Sequence, residues 1–204
     1  MNSLFKGIYD AVIVQTNRPN IQEETIAKIQ TATLDLHGRS EFKRDAHFSI
    51  IQSTGIGQSK FKFTLPTAAR IRRVLGVQPV SDSGCLGKFL RPLKFGQTPP
   101  PNCGGYYSIF QNELSVYVNS QYVTQFQLYY LAFPNIAPGS YSSWIAETYP
   151  HFISDLAAAR VLQMIGIRDK ANDLLNKVGE LRVPGSYIWT LVNDNPEVER
   201  ISYE

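Results

Sequence analysis

The sequence predicts an α+β protein in which helices at both ends form a small helical bundle, with an intervening antiparallel β barrel or sandwich and an extended C-terminal arm. Three observations predict it. Apolar residues recur at helical spacing over the first 45 residues and again after residue 140. Between them, residues 46–140 alternate polar and apolar and hold 14 of the 24 aromatic residues, a composition that favours strands. That middle zone is also poor in acids, with eight basic residues against two acidic ones, whereas residues 1–45 carry six of each and residues 141–204 carry six basic and nine acidic. The zones divide the chain into 1–45, 46–140, 141–182 and 183–204.

In the first zone Leu4, Ile8 and Val12, with Phe5 and Ala11, mark a helix, although β-branched Val12, Ile13 and Val14 weaken it. Asn17-Arg-Pro-Asn20 is a turn. Asn20, with Glu23 three places on, suits the N-cap of a second helix whose stripe is Ile26, Ile29, Thr33 and Leu36, with Leu34 beside it and a stop at Gly38.

In the middle zone Lys60-Phe-Lys-Phe-Thr-Leu65 alternates as a half-buried strand, and Arg70-Ile-Arg-Arg-Val-Leu75 is its expected partner. Leu114 to Val118 and Phe126 to Phe133 are further strands. Gly96 to Gly105, with Pro99, Pro100 and Pro101, reads as a long exposed loop.

The third zone is helical. Trp144 to Tyr149 leads to Pro150, which is expected to kink or restart the helix, and Ile153, Leu156, Ala157, Val161, Met164 and Ile165 continue its apolar face up to Gly166. Asp169 is the expected cap of the next helix, with Ala171, Leu174, Leu175, Val178 and Leu181 inward. After the break at Val183-Pro-Gly185, the run Tyr187-Ile-Trp-Thr-Leu-Val192 is apolar and strand-prone. It is expected to pair with a neighbour.

The search for chemistry finds little. Gly55-Ile-Gly57 and Gly104-Gly105 lack the strand-to-helix setting of a phosphate loop. Cys85 and Cys103 are read as free thiols in a reducing compartment, and no adjacent base activates Cys85 for the hydrolase reading it would have to carry. His37, His47 and His151 share no metal-ligand spacing, and Asp45 with His47, or His151 with Asp155, is read as a structural pair. The expectation is therefore no catalytic residue, no metal and no cofactor. The first 20 residues lack the pattern of a secretory signal, and no apolar run reaches the roughly 20 residues of a membrane span, which predicts a soluble protein made in a cytoplasm.

One electrostatic feature stands out. Lys60, Lys62, Arg70, Arg72 and Arg73 form a basic region interleaved with Phe61 and Phe63. It is either the solvated side of strands over a phenylalanine core, or a surface for an acidic partner or DNA. The second option is the alternative reading of the chain as a nucleic-acid-binding module.

The stretch Phe5 to Asn20, then Ile26-Ala-Lys-Ile29, Thr33-Leu-Asp-Leu-His37, Phe42 and Asp45, and later Trp144-Ile-Ala-Glu-Thr-Tyr-Pro150, Leu156-Ala-Ala-Ala159 and Asp169 to Leu181, resembles the head-to-tail adaptor proteins of tailed bacteriophages. The resemblance covers most of residues 4–182. It implies a non-enzymatic virion protein of the neck or tail, assembled in the host cytoplasm as a ring, commonly dodecameric, beneath the portal. The helical part would pack around the axis, and the β part would face outward or toward tail tube, nozzle or fibre proteins. A C-terminal arm would reach the portal. Genomic DNA would pass through the channel without sequence-specific contact. The arm then supplies the portal or neighbour-subunit contacts, through Val183, Tyr187, Ile188, Trp189, Leu191, Val192, Ile201 and Tyr203. Another neck or tail ring component is the nearest alternative.

Overall fold

A computed structural model describes residues 1–52, 60–65, 67, 70–81, 83–94, 96–100, 104–118, 123, 125–179 and 183–199. The chain is mixed α+β and divides into two compact units, Met1–Asp45 with Phe133–Val198, and Ala46–Ala132 with Glu199–Glu204.

The first unit is helical: α1 (Ser3–Thr16), α2 (Gln22–Gly38), α3 (Trp144–Thr148), α4 (Pro150–Met164), α5 (Arg168–Val178) and α6 (Tyr187–Asp194). Asn2 caps α1 by accepting the Phe5 N–H at 2.9 Å, and Phe5, Ile8 and Val12 enter the core, so burial outweighs the β-branched run. α4 is the centre of the unit. It packs against α1, α2, α3 and α5, and every residue from Phe152 to Ala159 is buried. Three consecutive alanines, Ala157 to Ala159, let neighbouring helices approach it closely. Pro150 stands in the first turn of α4, where its missing N–H has no intrahelical partner to lose.

Two expected caps are corrected. Neither α2 nor α5 has a side-chain cap: their N-cap positions are Ile21 and Ile167, and Asn20 and Asp169 do not serve. Acids inside the first turns, Glu23 and Glu24 in α2 and Asp169 in α5, face the positive end of the helix dipole instead.

The larger correction concerns the C-terminal segment. Tyr187 to Asp194 is a helix and not a strand of an extended arm. Ser186 caps it, accepting the Trp189 N–H at 3.1 Å, and Ile188 and Leu191, three apart, are buried in the core of their own unit. Tertiary burial at helical spacing overrides the β propensity of Ile188, Thr190 and Val192. The chain then runs back along residues 41–43, where the Lys43 N–H donates to Pro196 O at 3.0 Å and the Val198 N–H to Glu41 O at 2.8 Å. Gly179 permits this docking: its φ is +61°, and a Cβ there would collide with Ser186.

Tyr141 is fixed inside the same core by a 2.6 Å hydrogen bond with the Thr33 hydroxyl and an edge-on contact with Phe5. Burial pushes its phenol up to about 12 from an ordinary value of 10.0. Because the folded state favours the neutral phenol, this stability is fully present below pH 10 and is lost as pH rises toward 12. The shift corresponds to about 2–3 kcal/mol. Absorbance titration should show a tyrosine ionising near the unfolding transition, and Tyr141→Phe should flatten the alkaline loss. Uniform tyrosine ionisation near pH 10 without unfolding would contradict it.

The second unit holds seven strands among the described residues: β1 (Ala46–Gln52), β2 (Lys60–Thr64), β3 (Ile71–Val80), β4 (Arg91–Pro92), β5 (Tyr106–Phe110), β6 (Glu113–Tyr117) and β7 (Gln125–Ala132). They form two sheets, ordered β1-β7-β3 and β2-β6-β5-β4, antiparallel apart from the short β4–β5 pair. The expected pairing of β2 with β3 does not occur. β2 pairs with β6 and β3 with β7, because the apolar β7 takes the central place in its sheet and buries Phe126, Leu128 and Tyr130. Phe61, Leu114 and Val116 from the other sheet share that core. Among the described residues the sheets do not close into a barrel.

No helix among the described residues is long and apolar enough to cross a membrane. The glycines at 55 and 57, Leu181, and Cys103 of the Gly96–Gly105 loop lie outside the described residues.

Candidate assembly surfaces

In the helical unit, the residues expected to contact a portal or neighbour separate into two groups. Ile188 and Leu191 are committed to the unit's own core, and Val192 packs on it half-buried. Tyr187 stacks on Phe152 at 4.0 Å, continuing a stack with Tyr149 at 4.9 Å, and His151 meets it edge-on. The Tyr187 hydroxyl donates to Asp155 Oδ2 at 2.6 Å, while Gln15 Nε2 donates to Asp155 Oδ1 at 2.8 Å. Burial and this carboxylate push the Tyr187 phenol up. Asp155 is thus the joint between α1, α4 and α6, and the expected His151–Asp155 partnership is replaced by Tyr187 and Gln15. Val183 is exposed and Trp189 half-buried, which leaves these two as the outward residues of the segment. Ile201 and Tyr203 lie outside the described residues.

A second joint lies at the end of α2. His37 Nδ1 is 2.8 Å from Asp45 Oδ1, and His37 Nε2 is 2.9 Å from the Ser143 hydroxyl. The Trp144 indole N–H donates to the same Asp45 oxygen at 2.8 Å, Phe42 meets the indole edge-on, and the Arg44 guanidinium lies 4.7 Å above it. A hydroxyl, an imidazole and a carboxylate in line could suggest nucleophilic catalysis. Here His37, Asp45 and Ser143 are all buried, and Ser143 Oγ accepts the Ala146 N–H as the cap of α3. The arrangement ties α2, the 42–45 turn and α3 together. Sequence reading paired Asp45 with His47, two residues away. The true partner, eight residues back, becomes apparent only once the turn folds.

In the β unit, alternation places the lysines and phenylalanines of β2 on opposite faces. Lys62 pairs with Glu113 at 2.9 Å, and Lys60 lies 5.2 Å from the Tyr117 ring centre. The Glu113 carboxyl is held below its ordinary range by Lys62. Phe61 is buried, and both Phe61 and Phe63 pack on Phe126, so neither offers an open stacking platform for a base.

Arg70, Arg72 and Arg73 are brought together elsewhere, at the start of β3. A register irregularity between Ile71 and Arg73 breaks strict alternation there, and consecutive residues Arg70 to Val74 all line one cleft of about 470 Å³. Leu65, Thr67, Ile109, Gln111 and Asn112 complete it.

The structure also reveals an apolar surface that the sequence reading missed. On β1, an edge strand, Phe48 is 66% and Ile50 54% exposed. Phe48 lies opposite Tyr129 in register, with ring centres 6.5 Å apart, and the Phe89 ring centre is 5.4 Å from that of Tyr129. The signal was present in Phe48-Ser-Ile-Ile51, where apolar residues fall on both faces of one strand. Cys85 is exposed in a turn closed by Ser81, and no group of three potential metal ligands occurs among the described residues.

No protein-family model matches the chain, and a search of curated proteins finds no match.

Proposed function

We propose that the chain is a virion structural protein, a ring-forming head-to-tail adaptor that joins the portal to the tail and continues the DNA channel. The observation that carries this reading is the exposed pair Phe48 and Ile50 on the edge strand β1, beside the half-buried Tyr129 of β7 and Phe89, apolar surface that the core leaves uncovered. Exposed apolar side chains grouped on one strand are a common mark of an interface, and β1 is an edge strand among the described residues. A second support comes from the resemblance. His37, Phe42, Asp45 and Trp144, four of the residues that carry it, meet in one buried joint. Residues far apart in sequence thus act as a single structural element.

In this reading the helices form the bundle about the axis, and the two sheets act as the sandwich facing tail tube, nozzle or fibre proteins. Head-to-tail contacts between copies close the ring, commonly of twelve, when the rotation allows. Genomic DNA passes without sequence-specific contact. In this reading the portal-facing role of the C-terminal segment falls to Val183, Trp189, Ile201 and Tyr203, since Ile188 and Leu191 are occupied within the subunit. The test is electron microscopy of the full chain with and without a candidate portal: rings, alone or on the portal, are expected, and monomers under both conditions would refute the reading.

A further inference from the structure

We propose that β1 is a self-association edge, through which two copies of the chain join β1 to β1 in antiparallel order and merge their three-stranded sheets into one. The pair is a form of the free chain and does not rest on ring assembly, since a ring that uses Phe48 and Ile50 would have to open it.

The composition of the strand edges points to β1. Among the described residues the edges are β1 and β3 in one sheet and β2 and β4 in the other. Soluble proteins guard such edges with charge, proline, bulges or covering chain, because edge backbone recruits further strands. Three of the four edges carry these devices. β2 has Lys60 and Lys62, and β4 is Arg91-Pro92. β3 has register irregularities and is covered by the segment that follows it. There the Leu90 N–H donates to Val77 O at 2.8 Å, the Gly87 N–H donates to Pro79 O at 2.9 Å, and Leu86 bridges Val80. β1, Ala46-His-Phe-Ser-Ile-Ile-Gln52, has no lysine, arginine, aspartate, glutamate or proline, and its ladder with β7 runs without a bulge. It exposes Phe48 at 66% and Ile50 at 54% instead.

The same composition selects the occupant. A strand that covers β1 must bring apolar side chains at alternate positions and no charge. Of the edges this chain offers, β2 would bring lysines and β4 is two residues long, whereas β1 itself fits. In an antiparallel pair centred on Ser49, Phe48 stands opposite Ile50 of the second copy, and Ile50 opposite Phe48 of the second copy. Each is an aromatic facing a β-branched residue, a favourable cross-strand pair. Phe48 already lies opposite Tyr129, and Ile50 opposite Gln127, within the sheet. Each row therefore runs Tyr129, Phe48, Ile50, Gln127 over four strands. On the other face His47 stands opposite Ile51, so no like charges meet.

The pairing also closes on itself. The merged sheet ends in β3 on both sides, and residues 86–90 cover each end. A two-fold contact that consumes the unguarded edge stops at two copies instead of running on as a fibre. The interface is small, which places its Kd in roughly the micromolar range.

The experiment is sedimentation velocity of the full chain over roughly 0.1–100 μM, read with hydrogen exchange of β1 at both ends of that range. A reversible monomer–dimer equilibrium is expected, with alternate amides of β1, those pointing away from β7, gaining protection as the dimer forms. Phe48→Lys with Ile50→Lys sets lysine opposite lysine and should weaken the dimer about tenfold or more. Phe48→Glu with Ile50→Lys sets glutamate opposite lysine twice, and should restore the dimer to within several-fold of the native chain and make it salt-sensitive. A chain that stays monomeric at every concentration would overturn the proposal. So would β1 amides whose protection does not change with concentration, which would show the edge covered within the chain. A glutamate–lysine variant as weak as the lysine–lysine one would overturn the antiparallel register. Rings formed by the chain alone in place of dimers would overturn the pairing and leave the adaptor reading standing, while dimers that ignore a portal would do the reverse.

Discussion

Replacing Leu191 with alanine is expected to destabilise the helical unit by about 2–5 kcal/mol, read as a lower thermal midpoint and a lower denaturant midpoint. Leu191 is fully buried, one helical turn from Ile188, which is 2% exposed. Removing its side chain takes away apolar burial and leaves a cavity in the core. Losing the whole segment should do more. Truncation after residue 182 removes Ile188 and Leu191 from the core, removes Tyr187 from Phe152 and Asp155, and removes the strand-like contacts of 196–198 with 41–43. The helical core should then melt early or fail to fold. A truncated chain with unchanged stability would show that α6 contributes little to the core. An extended arm predicts the opposite result, so this experiment separates the two arrangements directly.

The second large effect is expected on assembly. Phe48→Lys with Ile50→Lys should leave the β unit folded, because both side chains are more than half exposed, and should weaken self-association or portal binding at least tenfold. Lysines on an edge strand are a natural means of preventing sheet-edge association. Circular dichroism and thermal melts check the fold, and sedimentation or native mass spectrometry reads the assembly state. Assembly at undiminished affinity would exclude the β1 surface as an interface.

How much of this was legible in the sequence varies with the range of the interactions. The α+β class followed from periodicity, and the core stripes of α1, α2 and α4 emerge largely at the residues that the spacing marks, except that Met164, at the last turn of α4, is 46% exposed. Pro150 and Gly166 punctuate the chain where the local rules place them. Strand partners were not legible, since Lys60–Thr64 and Ile71–Val80 are adjacent in sequence yet belong to different sheets. Nothing in their composition distinguishes a neighbour in a hairpin from one across a core. The α6 segment was misread because β-branched residues outweighed its own signals, namely Ser186 as a cap and the spacing of Ile188 and Leu191. Of the candidate surfaces, the basic residues were visible as composition. Their division into paired lysines on β2 and an arginine cleft at β3 depends on a register irregularity that has no sequence signature here. The Asp45–His37–Ser143 joint spans more than a hundred residues of sequence and was invisible for the same reason.

The proposed role is assembly into a ring that seats on a portal. Electron microscopy of the purified full-length chain, alone and mixed with a candidate portal, tests it most directly. The account predicts closed rings of one copy number, formed by the chain alone or on the portal, and lost in the Phe48→Lys, Ile50→Lys variant. A monomer that stays dispersed in the presence of the portal, with its fold intact, would contradict it.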